Sequence, residues 1–467
     1  MPSKQPMGDV VVLLPGILGS VLERDGHDVW AMSPGAAWRA IRTLGHSVND
    51  LELHGDDPDI DDLGDGVTAP RLQPDLHLIP GLWSIDGYSH IRSSIFAMFD
   101  VVEGQNWFDF PYDWRRDNRV AARHLAERAP AWLKAWRQRS GNNDAKLMLV
   151  GHSMGGLVAR HYLEVLDGWR DTRMLITFGT PYRGSLNALD FLCNGFKKKI
   201  GPVGLDLTRL LRSLTSVYQL LPRYPVVDTG SGRLTRVAET TGLPGVDAAR
   251  AGAALQFHLD IDHAIEQRPA NAYAIHPVVG ILQPTLQSAR LTGGSVEMLR
   301  SYSGTDSAGD GTVPRVSATP LELSDQGREI NAPDQHGSLQ NSTGPLTQLI
   351  GLLSARPTST FRGGISGFGL EMDEMFAADE PISAVVTSDD PSPAVDVVVS
   401  DAATGRPVIE SREEADGDGA YRAEWPPLPP GDYRLTVSAI DPNSDREPVH
   451  SLFIVAEADS EADGGPP

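Results

Sequence analysis

The stretch that decides the fold is Lys146-Leu147-Met148-Leu149-Val150-Gly151-His152-Ser153-Met154-Gly155-Gly156-Leu157. An apolar run of strand length, 146–150, passes directly into Gly151-His152-Ser153-Met154-Gly155, the one G-x-S-x-G match in the chain, and a helical pattern leaves it over 157–166. The five-residue pattern is common by itself. With a strand before it and a helix after it, it reads as a nucleophile elbow, a sharp turn that exposes a serine hydroxyl at the carboxyl end of a central strand. Glycine suits positions 151 and 155 because a side chain there would meet neighbouring backbone where the turn is pinched. Ser153 is the candidate nucleophile.

Outward from the elbow, 10–14 is a second apolar run closed by Pro15-Gly16, and 174–178 is a third. Between the first run and the elbow, Ala122, Leu125, Ala126, Ala129, Trp132, Leu133 and Trp136 recur at spacings of three and four, predicting a helix over 119–140 despite Pro130. Apolar strands alternating with amphipathic helices are the grammar of an α/β fold with a parallel sheet. Residues 30–105 are irregular, with an acidic loop at 56–65 and scattered aromatics, and read as an excursion from that sheet. Residues 186–300 are too long for a simple connection and read as a largely helical cap or lid. From 380 the pattern changes to short strand-like runs at 382–387, 395–400, 421–425, 433–440 and 450–455 between Pro, Gly and Asp clusters, the pattern of an all-β sandwich of immunoglobulin-like kind. The expected organisation is therefore an α/β domain over 1–370, a β-sandwich over 380–457 and an acidic disordered tail over 458–467.

A serine hydroxyl needs a histidine to take its proton, and the histidine needs an acid to fix its tautomer. After a nucleophile elbow these follow in the order acid, then histidine. Gly309-Asp310-Gly311-Thr312-Val313-Pro314 places an acid in a tight turn, and Asp334-Gln335-His336-Gly337 follows 26 residues later. Asp310 and His336 are the candidate acid and base; Asp306, Asp325, His258, His263 and His276 are the competitors. The oxyanion of an acyl-transfer intermediate also needs two backbone N–H donors. Met154 follows the nucleophile, and Pro15-Gly16-Ile17-Leu18-Gly19-Ser20 follows the first strand, which makes Met154 and Ile17 the candidate donors.

Composition narrows the partners. The 467 residues carry 62 acidic and 40 basic side chains, a net charge of −22, the wrong sign for a broad nucleic-acid surface. The acidity is concentrated in residues 371–467, with 23 acidic and 5 basic residues, so the β-region is a candidate for solubility or for an unidentified protein partner. A single cysteine, Cys193, offers no intrachain disulfide and no Cys-based zinc site, and a reducing cytoplasm is expected, with no metal and no cofactor. The run 10–14 is too short for an export signal and no stretch is long enough to span a bilayer, which leaves peripheral contact as the only membrane association. Phe191, Leu192, Phe196, Lys197-Lys198-Lys199 and Ile200 form a candidate interfacial segment, with Trp38 and Trp83 as further candidates.

The motifs together resemble the lecithin:cholesterol acyltransferase family of α/β-hydrolases. The resemblance rests on Leu14-Pro15-Gly16-Ile17-Leu18-Gly19-Ser20, Pro111-Tyr112-Asp113-Trp114-Arg115, Gly151 to Gly156, Phe178-Gly179-Thr180-Pro181, the 213–222 stretch ending Leu-Leu-Pro, Gly309 to Val313, and Gln335-His336, and it spans about residues 9–350. It implies an α/β-hydrolase fold, the triad Ser153, Asp310 and His336, Ile17 and Met154 as oxyanion donors, and a lipid acyl ester as substrate, cleaved through an acyl-serine that passes to an alcohol or to water. Gly16, Tyr112, Asp113, Trp114 and Arg115 are expected beside the site, Asp113 and Arg115 as a pair that holds a loop. The chain departs from the secreted animal members in lacking their disulfides and in adding the acidic β-region, which points away from lipoprotein and sterol substrates. A non-lipid esterase or thioesterase, and a silent scaffold in which the β-region does the work, are the alternatives. No candidate site residue lies beyond 370, so the β-region is expected to be dispensable for turnover of a small soluble ester.

Overall fold

The computed structural model describes residues 4–31, 51–73, 77–79, 83–85, 87–200, 203–324, 326–327, 329–354, 366–388, 392, 394–441, 444 and 446–456. Strand β1, Val10–Leu14, is apolar throughout because both of its faces are covered. Val10, Val12 and Leu14 enter one core and Val11 and Leu13 the other, following the two-residue period of a strand. With Trp107–Asp109 (β2), Leu147–His152 (β3), Thr172–Phe178 (β4), Ala274–Gly280 (β5) and Ile330–Ala332 (β6) it forms a wholly parallel sheet in the order β2-β1-β3-β4-β5-β6. Helices Ser89–Met98 (α1) and Thr343–Leu353 (α6) fill the core on one face; Asn118–Ser140 (α2) and Met154–Glu164 (α3) fill the core on the other. The chain adds β2 on one side of β1 and then β3 on the other, and the crevice this leaves at the carboxyl ends of the strands is where ligands bind in open α/β sheets.

The expected cap at 186–300 is corrected in two respects. Its last part is not cap at all: β5 lies inside the central sheet, and the pair Ser288–Thr292 and Ser295–Leu299 is an antiparallel hairpin. Pro277 interrupts the β5 run, which obscured it as a strand. The remainder is less helical than its periodicity suggests, comprising Leu186–Cys193 (α4), two short helices over 208–219 and the long helix Ala248–Gln267 (α5). Helix α5 lies against the flank of α3, where Phe257 stacks on His161 with ring centroids 5.3 Å apart, while the short helices bring Leu211, Val217 and Leu220 over Ile17 and Leu18.

The C-terminal strands form two sheets. Phe368–Met372 (β7), Ile382–Ser388 (β9) and Tyr421–Trp425 (β12) make the first, in the order β7-β9-β12. Met375–Ala377 (β8), Ala394–Asp401 (β10), Pro407–Glu414 (β11), Gly431–Ala439 (β13) and Val449–Ala456 (β14) make the second, in the order β8-β14-β13-β10-β11. Their inner faces share a core that includes Phe368, Val386, Tyr421, Val397, Leu435 and Phe453. The β-region thus begins at 368, inside the expected limit of the α/β domain at 370, and β7 and β8 were missed because each is only three to five residues long. The tail expected at 458–467 lies outside the described residues. No helix among the described residues is long and apolar enough to cross a membrane. The expected interfacial segment is also corrected: Phe191, Leu192 and Phe196 are at most 5% exposed and belong to the core, with the two phenyl rings edge-on at 5.9 Å. Trp38 and the side chains of Trp83, Lys198, Lys199 and Ile200 lie outside the described residues.

At the start of α3 the helix crosses β1 so closely that a Cβ on Gly155 would sit 2.5 Å from the carbonyl oxygens of both Leu14 and Pro15. Gly155→Ala must lever the helix off the sheet, and urea denaturation should show a loss of about 4 kcal/mol or more, or no folded protein. Wild-type stability in that variant would contradict the tight crossing.

Candidate active site

Ser153 leaves β3 with φ 49° and ψ −124°, a left-handed conformation that a non-glycine residue holds only where its surroundings force it. They do so from both sides: the Ser153 N–H donates to the Phe178 carbonyl at 2.8 Å, and the Thr180 hydroxyl donates to the Ser153 carbonyl at 2.9 Å. The end of β4 thereby clamps the turn. Ser153 Oγ then lies 2.9 Å from His336 Nε2, and His336 Nδ1 lies 2.7 Å from Asp310 Oδ2. All three side chains are buried.

Asp310 aims its carboxylate by local turn chemistry. Its Oδ1 accepts the Thr312 N–H at 2.9 Å and the Val313 N–H at 2.6 Å, which leaves Oδ2 for the imidazole. The His336 N–H donates to the Asp310 carbonyl at 2.8 Å, so the two loops are joined by backbone as well as by side chains. The sequence-predicted residues Ser153, Asp310 and His336, each after a different central strand, are brought together, and the competitors are not. His258 is buried in α5 on the Gln219 carbonyl, His276 sits in β5, Asp306 accepts from Gln287, and Asp325 lies outside the described residues.

Two residues of this centre escaped sequence reasoning. The Tyr88 hydroxyl accepts the Gly16 N–H at 2.8 Å and donates to His152 Nδ1 at 3.0 Å; His152 Nε2 in turn donates to the His336 carbonyl at 3.2 Å. Burial, reinforced by the neighbouring His336, pushes the pKa of His152 down to about 3, so it stays neutral and serves as a fixed strut between the 15–20 loop and the base. His152 stood within the elbow motif and carried a signal; Tyr88 is 64 residues away and carried none.

The 15–20 loop lies on the elbow: a Cβ on Gly16 would be 3.0 Å from Ser153 Cβ. Met154 opens α3, so its N–H has no partner within the helix. The loop is held at both ends by the Tyr112–Arg115 segment. The Tyr112 hydroxyl donates to the Pro15 carbonyl at 2.8 Å, the Tyr112 N–H donates to Ser20 Oγ, and the Trp114 indole donates to the Ser20 carbonyl at 3.0 Å. Arg115, fully buried, pairs with both Asp113 oxygens and reaches Asp65 at 2.8 Å, tying the motif to the acidic loop. Ile17 and Leu18 form one wall of a small, mainly apolar cavity that Phe191, Leu211, Val217 and Leu220 also line, with Ser185 and Asn187 at its polar side. On the other side, beside Asp310 and His336, opens a polar cleft of about 820 Å³ whose far wall is β-region, including Glu371, Glu374, Arg422 and Glu424. Asn187 borders both. Among the described residues no group of His, Cys, Asp or Glu is placed to hold a metal ion.

An elbow serine, an acid and a histidine at the carboxyl ends of a parallel sheet define the α/β-hydrolase class. Within it, the model of the lecithin:cholesterol acyltransferase family matches residues 90–242, the stretch that holds the Tyr112–Arg115 motif and the elbow. No curated protein matches the chain. Among solved structures it is similar to the Tle4-Tli4 complex, with 16% identity, 75% of this chain and 98% of that chain covered, and a TM-score of 0.48. It is similar also to the Bacillus licheniformis lipase BlEst2 in propeptide form, with 12% identity, 97% and 94% covered and a TM-score of 0.34. For the mature form of that lipase the values are 13%, 75%, 94% and 0.29.

Tyr88→Phe removes one hydroxyl and leaves both the Gly16 N–H and His152 Nδ1 buried without a partner. It should cost about 1–3 kcal/mol of stability by urea denaturation. A change below about 0.5 kcal/mol, within the range of an ordinary surface substitution, would show that the strut carries no load.

Proposed function

We propose that the protein is a serine-dependent acyl-ester hydrolase or O-acyltransferase that acts on lipids through an acyl-Ser153 intermediate. The observation that carries this reading is the unbroken relay from Ser153 Oγ through His336 to the Asp310 carboxylate. His336 Nε2 takes the proton as Ser153 Oγ attacks the ester carbonyl, and the Nδ1–H held by Asp310 stabilises the imidazolium that forms. The backbone N–H groups of Ile17 and Met154 receive the oxyanion, a role supported by the contact between Gly16 and Ser153. His336 then returns its proton to the leaving alcohol, and water or a second alcohol repeats the sequence in reverse.

A lipid as substrate is supported by the family match and by the character of the two spaces that flank the relay. The polar cleft beside His336, the residue that protonates the leaving group, suits the alcohol portion of a glycerophospholipid, and the mainly apolar pocket at Ile17 and Leu18, closed to about 20 Å³, takes an acyl chain only when the short helices over it move. The short helices over 208–219 cover the acyl side. We expect water to be the main acceptor in dilute assay and transfer to appear when an alcohol is abundant. The buried single cysteine is consistent with a reducing, cytoplasmic location, where access to lipid would be by peripheral contact. We assign the chemistry to the α/β domain and read the two-sheet region from 368 to 456 as an immunoglobulin-like sandwich.

Ser153→Ala should lower hydrolysis of a phospholipid or a p-nitrophenyl ester by about 10⁴-fold or more with the fold intact. Because the relay acts as a unit, Ser153→Ala/His336→Ala should be scarcely worse than either single change. Retained activity in Ser153→Ala would remove Ser153 from the mechanism. Activity on short-chain or thioester substrates but on no lipid would move the reading to a non-lipid esterase or thioesterase.

A further inference from the structure

Gln283 follows β5 and is 1% exposed. Its backbone pairs with Gly309, the residue before Asp310: the Gln283 N–H donates to the Gly309 carbonyl at 3.0 Å, and the Gly309 N–H returns the bond at 3.2 Å. Its side-chain amide works in two further directions. Nε2 donates to the Pro333 carbonyl at 3.0 Å, at the start of the loop that carries His336, and to the Phe368 carbonyl at 2.9 Å. Oε1 accepts the Leu370 N–H at 3.0 Å. Phe368 and Leu370 are two apart on β7, the edge strand of the first β-sheet. The amide of Gln283 therefore pairs with that open edge as another strand's peptide group would. One buried residue thus joins the acid loop, through its backbone, to the base loop and the β-region, through its side chain.

A second bond runs the same way. Asp334 Oδ1 accepts the His450 N–H from β14 at 3.2 Å and the Gln335 N–H at 2.9 Å, while Oδ2 accepts the Ser342 hydroxyl at 2.6 Å. The residue two before His336 is thus braced by the β-region as well. These bonds add to those that Asp310 and His152 make to the His336 backbone, and a misplacement of the base by about an ångström is costly in a reaction that depends on proton transfer between aligned atoms.

We propose that Gln283 is a positioning residue, through which the β-region sets the alignment of Asp310 and His336, and that the β-region is consequently a working part of the site rather than the dispensable appendage that its lack of candidate site residues suggested. The proposal rests on the hydrolase reading given above. Gln283→Met in the full chain keeps the side chain's length and bulk and removes its hydrogen bonds. Active sites are counted by fluorophosphonate labelling run to completion, and turnover of a soluble p-nitrophenyl ester is expressed per labelled site. The expected result is a kcat reduced on the order of 10²-fold, KM within about twofold of wild type, and slower labelling. Wild-type turnover per labelled site, even in a protein that melts earlier, would overturn the proposal by reducing Gln283 to a stability element. If Gln283→Met does not fold, Gln283→Leu, which also removes the amide, serves in its place, with the same expected split and the same overturning result. A wild-type protein that neither labels at Ser153 nor cleaves any ester would overturn the hydrolase reading itself, whereas an active wild type with an unaffected Gln283→Met overturns only the role of Gln283.

Discussion

An imidazole that must accept a proton at one nitrogen while holding another at the opposite nitrogen can be useful only if both of its partners are fixed, and the loops of this protein are arranged around that constraint. His336 faces Ser153 at 2.9 Å and Asp310 at 2.7 Å, and each partner is immobilised by bonds that have nothing to do with the imidazole. Ser153 is pinned by Phe178 and Thr180 from the neighbouring strand; Asp310 is pinned by two N–H groups of its own turn. His336 is held through its backbone by Asp310 on one side and His152 on the other. Two of these attachment points, Phe178 and His152, are the last residues of neighbouring central strands, which end on the same edge, within reach of one another.

What could be read from the sequence is what local chemistry determines. β1, β3 and β4 are continuous apolar runs because both faces of the sheet are covered, and a run of that kind is visible without knowledge of the neighbours. The elbow announces itself through the glycines that its turn requires. Asp310 stood out for the same reason that it faces His336: Gly-Asp-Gly-Thr is a turn that an aspartate closes on its own backbone, and the carboxylate left aimed by that turn is the one that meets the imidazole. The other elements gave weaker signals. β2 and β6 are three residues long, β5 is broken by Pro277, and β11 begins with a proline and carries four glutamates or arginines on an edge strand with one face in solvent. α1 buries only Ile91 and Ile95, too few for a helical period to emerge from an irregular stretch.

Tyr88, Gln283 and Asp334 were illegible for a different reason. Their roles are set by partners 50 to 116 residues away, and nothing in the nearest neighbours of Tyr88 or Gln283 distinguishes either from any other buried polar side chain. These long-range bonds also change the meaning of the C-terminal strands. Counted by motif, that region holds none of the chemistry; counted by hydrogen bonds, it contacts the loops on both sides of the relay and forms the far wall of the polar cleft. The charge of residues 371–467 is then a property of the cleft's surroundings as well as of the outer surface.

The central claim is that an acyl group derived from a lipid ester resides for a time on Ser153. The most direct measurement is to mix the full-length protein with a phospholipid, quench in acid within the first turnovers, and digest and weigh the peptide that contains Ser153. The expected peptide is heavier by the mass of one acyl chain, with the increment following the chain length of the lipid supplied and disappearing as the substrate is exhausted. Steady release of fatty acid with the Ser153 peptide never modified, or an adduct carried by a peptide without Ser153, would contradict that claim.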